Sequence, residues 1–142
     1  MWTRTLPWLL SLWLLAGSAA AQDVNPLDMV RGGMQAIQMV DQNRVGELWD
    51  GATPGARKRV SRADFVSQLA KTRTPLGAAQ QRTWVSITRQ MLTDADAELA
   101  GQYVSVEYET RFAGSSPATR RELVSFHLDS DGIWRFSGYF LR

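Results

Sequence analysis

The sequence predicts an α+β fold: two or three N-terminal helices packed on one face of a curved four-stranded antiparallel sheet. Three observations predict it. From Leu27 to Leu69 apolar residues recur at intervals of three and four, the spacing of helices with one buried stripe. From Arg82 onward apolar and polar residues alternate over long runs, as in strands with one wet face. Clusters of Gly, Pro, Ser and Asp divide that second half into four runs. Helices that precede the strands, rather than alternating with them, collect on one side of an antiparallel sheet.

The chain has 142 residues, a length that suits one domain. Its 16 Lys+Arg against 14 Asp+Glu leave a formal charge of +2, too small for strong long-range attraction to polyanions. Cysteine is absent, which excludes disulfide frameworks, thiolate zinc sites and thiol nucleophiles. With His127 as the single imidazole, a metal site is not expected, and no cofactor is implied.

Residues 1–21 read as a leader. Arg4 and the α-amino group form a positive start, residues 6–15 an apolar run, and Ala19-Ala20-Ala21 the small residues of a signal-peptidase site. Cleavage is expected between Ala21 and Gln22. The alternative, an uncleaved anchor, needs ~20 apolar residues to span a bilayer, more than this run supplies. A single domain then occupies residues 22–142, with no transmembrane span, in the periplasm or alternatively secreted.

The first helix opens at Asn25-Pro26, an N-cap followed by proline at the first helical position. Leu27, Val30, Met34, Ile37 and Val40 form its expected buried stripe. Gly32-Gly33, unfavourable in mid-helix, implies close approach of another backbone. Asp41-Gln42-Asn43 ends the helix, because Asn tolerates the left-handed cap position. A short second helix spans residues 45–50, and Gly51, Pro54 and Gly55 break it. Ser61 with Asp64 is a variant capping box. It starts a further helix whose buried side is Phe65, Val66 and Leu69. Thr74-Pro75-Leu76-Gly77 turns the chain.

Residues 82–91, rich in Thr, Val, Ile and Trp, read as the first strand. Asp94, Asp96, Glu98 and Gly101 make the next turn. In residues 102–112, Val104, Val106, Tyr108 and Phe112 share one face, and Ser105, Glu107, Glu109 and Arg111 the other. Val124, Phe126 and Leu128 face inward from the third strand, so His127 is expected to face solvent. Asp131-Gly132 signals a hairpin. The last strand, residues 133–141, is apolar on both faces and is expected to sit centrally or beneath the helices. Trp134, Phe136 and Phe140 share one of its sides. Gly138 marks a bulge or close approach, where the strand would bend over the first helix at Gly32-Gly33.

Several of these elements form a familiar set: Trp49 after a helix-ending Asp41, Arg73-Thr-Pro-Leu-Gly77 followed by Arg82, and Gly101-Gln-Tyr103-Val-Ser-Val106. The last is the closing Asp131-Gly-Ile-Trp-Arg-Phe-Ser-Gly-Tyr-Phe-Leu-Arg142. Together they resemble the bacterial exported family known as domain of unknown function 4019. The wider arrangement is similar to the nuclear-transport-factor-2-like superfamily, which implies a cone with an apolar pocket. The chain departs from that pattern in lacking a strand between its second and third helices. The family implies no activity.

Candidate site residues come from the side chains themselves. A general base could be Asp41, Glu107, Glu109 or His127, but no partner group stands at a readable spacing, and no nucleophile elbow or phosphate loop is present. Arg57, Lys58, Arg59 and Arg62 form the densest positive patch, which falls short of a nucleic-acid array. Arg73 and Arg82 flank the Pro75–Gly77 turn. They either converge on an anionic ligand or fix the turn through carbonyls and Glu side chains. A pocket, if open, would be lined by Trp49, Tyr108 and Trp134. The leading expectation is a non-catalytic envelope protein that binds a small apolar or anionic ligand, or a partner, and does not bind nucleic acid. The alternatives are an isomerase- or hydrolase-like enzyme using the same pocket, and a structural or assembly protein.

Overall fold

The computed structural model describes residues 24–114 and 116–142. The expected leader and the Ala21–Gln22 cleavage site lie outside the described residues. Four helices come first: α1 (Pro26–Asp41), α2 (Val45–Asp50), α3 (Pro54–Arg59) and α4 (Arg62–Arg73). A single 3₁₀ turn, Thr74–Leu76, leads to the strands β1 (Ala79–Leu92), β2 (Gly101–Phe112), β3 (Ala118–Leu128) and β4 (Trp134–Leu141). The strands pair antiparallel in chain order. The sheet is not closed, so β1 and β4 are its edges. This is an α+β fold. Among the described residues no helix is long and apolar enough to cross a membrane.

The helix ends follow local chemistry. Asn25 Oδ1 accepts from Leu27 N–H at 3.0 Å, with Pro26 at the first helical position. Ser61 Oγ accepts from Asp64 N–H at 3.1 Å. Asn43 takes a positive φ of 58° just past α1, where a non-glycine residue is best an Asn. Helix α3 is one more than the sequence suggested. Pro54, read there as a breaker, instead occupies the first position of α3, where its missing N–H costs nothing.

Helix α1 packs across β1, β2 and β3. Its buried stripe is Met29, Gly33, Ala36, Ile37 and Val40, rotated from the expected one, and Leu27 is 60% exposed. The rotation centres on Gly33. A Cβ there would overlap the Tyr108 hydroxyl and lie 3.1 Å from its ring, and the Tyr108 hydroxyl donates to Val30 O at 2.6 Å. Gly32 stands 3.4 Å, by the same measure, from the Phe126 ring. The two glycines therefore admit aromatic side chains from β2 and β3, and not the backbone of the last strand. Below them lie Val104, Val106, Val124 and Phe136. On α4, Leu69 is buried and Phe65 half-buried, while Val66 turns outward; the helix packs chiefly on α2 and meets β4 through the Phe65–Phe136 contact.

The last strand is an edge, not a central strand. It is apolar on both faces because the core covers one side and α3 and α4 wrap around its rim. A register shift opposite Ser125 and Phe126 leaves Ser137 as an extra residue, a bulge beside Gly138. It inverts the alternation. Phe136 points inward before it and Tyr139 after it, while Phe140 is thrown to the outer side, 58% exposed.

The 3₁₀ turn is held by glycine at both contact points. Gly77 has φ 72°, open to glycine at no steric cost. A Cβ at Gly114, in the β2–β3 connection, would lie 2.7 Å from Leu76 O. The turn thus rests directly on backbone, which positions Arg73 and Arg82 on either side of it.

Candidate functional site

An apolar cleft opens between the rim of β4 and helices α3 and α4, with a volume of about 460 Å³. Trp49, Phe65 and Leu69 form one wall, and Phe136 to Leu141 the other. Trp49 is fixed at the end of α2 by its indole N–H, which donates to Val60 O at 2.8 Å. The Phe65 and Phe136 rings meet edge to face, centroids 6.0 Å apart at 62°, a preferred aromatic geometry. Arg59 stands on the rim.

Beneath the 3₁₀ turn the structure brings Arg73 and Arg82 together. Arg73 Nη2 lies 2.5 Å from Asp41 Oδ1, and Arg82 Nη1 3.0 Å from Asp41 Oδ2. Arg82 Nε donates to Glu122 Oε1 at 2.7 Å, and Arg73 Nη1 stands 3.6 Å from Glu122 Oε2. Glu122, fully buried on β3, also accepts from the Thr110 and Tyr139 hydroxyls. The Arg73 guanidinium sits 4.9 Å over the Phe112 ring. Burial opposes both arginine charges, yet hydrogen bonds and the opposite charges of Asp41 and Glu122 together outweigh it and hold both above the ordinary arginine range. Burial first, and the Glu122 charge second, push the Tyr139 hydroxyl far up. Two cations meet two anions here, so the cluster has little net charge to offer an external anion. A second concavity of about 400 Å³, bordered by Asp41, Asn43, Arg73 and residues 77–79, opens beside it.

A third polar group lies at the far end of the sheet. His127 is 4% exposed, which corrects the expectation of a solvent-facing side chain. The alternation is right: His127 pairs with Tyr103 on the outer face. That end of the face is covered by residues 98–100 and by the α2–α3 connection. His127 Nε2 donates to Ala100 O at 2.8 Å, and Nδ1 lies 2.7 Å from Asp129 Oδ1. The Thr53 hydroxyl donates to Asp129 Oδ1 at 2.5 Å, and Arg135 Nη1 to Asp129 Oδ2 at 2.8 Å. Burial works against the Asp129 charge, but bonds from Thr53, His127 and Arg135 hold its carboxyl below the ordinary value.

The remaining candidates disperse. Tyr108 is a core residue, and burial pushes its hydroxyl up to about 12. Trp134 is partly buried against the core, away from the cleft wall. Glu107 accepts from Arg142 and Ser86, and Glu109 lies 3.1 Å from Arg121. Lys58 and Arg62 are paired with Glu98 and Asp50. Sequence reasoning missed Glu122, although a signal existed: it shares the inward parity of Val124 and Phe126. It also missed Leu69, Tyr139 and Phe140 as cleft walls, because their convergence depends on a bulge.

A family model described as Protein of unknown function (DUF4019) matches residues 32–139. No curated protein matches the chain.

Proposed function

The chain belongs to the DUF4019 family, and from that premise we propose an exported, non-catalytic binding protein of the bacterial cell envelope that holds an apolar ligand or partner segment between α4 and β4. The cleft carries this reading. Its walls of Trp49, Phe65, Leu69 and Phe140 match the mostly apolar concavities in which ligands are buried. Non-catalysis is supported by the fate of the buried carboxylates: Glu122 and Asp129 spend their oxygens on the protein's own arginines and hydroxyls. Export is supported by the leader-like residues 1–21.

The test is binding of the apolar dye N-phenyl-1-naphthylamine, read by its fluorescence rise. Phe140→Asp, at an exposed position, should weaken binding about tenfold, roughly 1.4 kcal/mol, with the thermal midpoint unchanged. No fluorescence rise, or a rise indifferent to this variant, overturns the reading.

One observation favours assembly as a second reading. The edge strand β1 exposes Trp84, Val85, Leu92 and, at 68%, Met91, and an edge strand with large exposed apolar side chains is a template for pairing with another chain. Sedimentation that shows a dimer, lost in Met91→Lys, would establish it.

A further inference from the structure

One side of the cleft is a strand edge that is only partly used. Arg142 N–H donates to Arg121 O at 3.0 Å and Arg121 N–H to Arg142 O at 2.8 Å, so these residues form a hydrogen-bonded pair at the end of the β3–β4 ladder. In an antiparallel ladder such pairs alternate with pairs whose backbone groups point outward. With Glu122 opposite Leu141, Leu123 opposite Phe140 and Val124 opposite Tyr139, the N–H and C=O of Tyr139 and Leu141 point away from β3, on the cleft side. Beyond the bulge the Phe136 carbonyl also points away from β3, although its side chain faces the core, and there the edge is taken: Thr53 N–H donates to Phe136 O at 2.8 Å. Among the described residues no backbone group outside the ladder bonds to Tyr139 or Leu141.

We infer that the cleft takes an extended peptide segment of a partner protein, which adds a short antiparallel strand to β4 at Tyr139 and Leu141 and carries an acidic residue over Arg59. This rests on the cleft being the binding site. A purely aliphatic ligand would cover two donors and two acceptors without bonding them, whereas a strand satisfies all four. Alternate side chains of that strand would reach the apolar wall of Trp49, Phe65 and Leu69. Charge fixes the acidic end. Lys58 and Arg62 are already paired, but Arg57 and Arg59 make no ion pair among the described residues, and no acidic side chain lines the cleft.

The experiment pans a phage-displayed library of random hexapeptides on the protein and measures enriched synthetic peptides by fluorescence anisotropy. Enriched peptides should alternate apolar residues and carry Asp or Glu at one end. Leu141→Pro removes an N–H that β3 does not use, and should weaken them about five- to tenfold, the worth of one hydrogen bond. Arg59→Glu should abolish the acidic preference. N-methylation of the peptide's alternate amides should abolish binding without touching the protein, so the test survives a poorly folded Leu141→Pro. Amide exchange at Tyr139 and Leu141 should slow at least tenfold in the complex. Absence of enriched peptides, or peptides indifferent to both N-methylation and Leu141→Pro, overturns the inference. Dimerisation of the protein itself that is lost in Leu141→Pro would place a second copy on the edge, and overturns it as well. If the naphthylamine dye binds while no peptide does, the cleft reading stands and the strand inference falls.

Discussion

Gly33 of α1 and Tyr108 of β2 interlock. The tyrosine ring occupies the space a side chain at position 33 would need, and its hydroxyl caps the α1 carbonyl of Val30 at 2.6 Å. One residue earlier, Gly32 has only ordinary contact with the Phe126 ring, 3.4 Å from where a Cβ would stand. Two adjacent glycines in one helix therefore do different work.

Gly33→Ala should destabilise the protein by about 1–3 kcal/mol, the usual range for overpacking, although alanine is the better helix former by about 1 kcal/mol. Gly32→Ala keeps the propensity gain without the overlap and should be neutral or stabilising. Urea denaturation of the two variants checks the contrast. Equal effects would mean that the glycines are interchangeable. Tyr108→Phe should recover part of the Gly33→Ala loss, because the overlap with the hydroxyl disappears.

The extent of this fold legible in the sequence follows from the range of the interactions involved. Caps at Asn25 and Ser61 and the inward parity of Val104, Val106 and Tyr108 are local, and were readable. Three features were not. The rotation of the α1 stripe depends on Tyr108, which is distant in the chain. The bulge at Ser137 reverses Phe140, and nothing in the apolar run around it marks which residue is extra. His127 is on the expected face, but residues 98–100 and Thr53 arrive from elsewhere to cover it. The same limit applies to the site. Trp49 lines the cleft, whereas the meaning of an inward Glu122 emerges only when Arg82, across two strands, is seen to meet it.

Glu122 is the most demanding residue of the core. Arg82→Met would leave its buried charge with only hydroxyl donors and the more distant Arg73, and should cost about 3–5 kcal/mol, as for breaking a buried ion pair. Replacing both, Arg82→Met with Glu122→Leu, should cost clearly less than the sum of the single variants, because neither charge is then stranded. Chemical denaturation of the four proteins gives the coupling. Additive losses would mean that the pair is not coupled.

Asp129 sets an acid limit. Its carboxyl is held below the ordinary value in the folded state. The corresponding stability is therefore present above the unfolded value, near pH 4, and is lost as pH falls through the lower folded value. In Asp129→Asn this share of the acid loss should vanish, at the expense of lower stability at pH 7. Thermal midpoints between pH 6 and 2.5 test it. Parallel pH profiles for parent and variant would show that Asp129 is not the group responsible.

The proposed export makes a chemical prediction. Mass spectrometry of the protein from an envelope fraction should find Gln22, free or cyclised, at the N-terminus. An intact Met1 in the membrane fraction would overturn cleavage after Ala21.

The end of the chain supplies the last test, because neighbouring residues on β4 should respond in opposite ways. Tyr139 points inward after the bulge, and its hydroxyl donates to Glu122 Oε2 at 2.5 Å. Phe140 points outward and is mostly exposed. Tyr139→Phe removes one donor from a fully buried carboxylate and should cost about 1–3 kcal/mol. Phe140→Ser should stay within about 0.5 kcal/mol, as surface substitutions do. Deleting residues 138–142 removes the second half of β4, the Tyr139 anchor and the Arg121–Arg142 pair together. Against a total stability of about 5–15 kcal/mol, that combined loss should leave the truncated protein largely unfolded. A soluble truncation that melts cooperatively near the parent's temperature would show β4 to be a dispensable edge, and a large loss in Phe140→Ser would show the bulge register to be wrong.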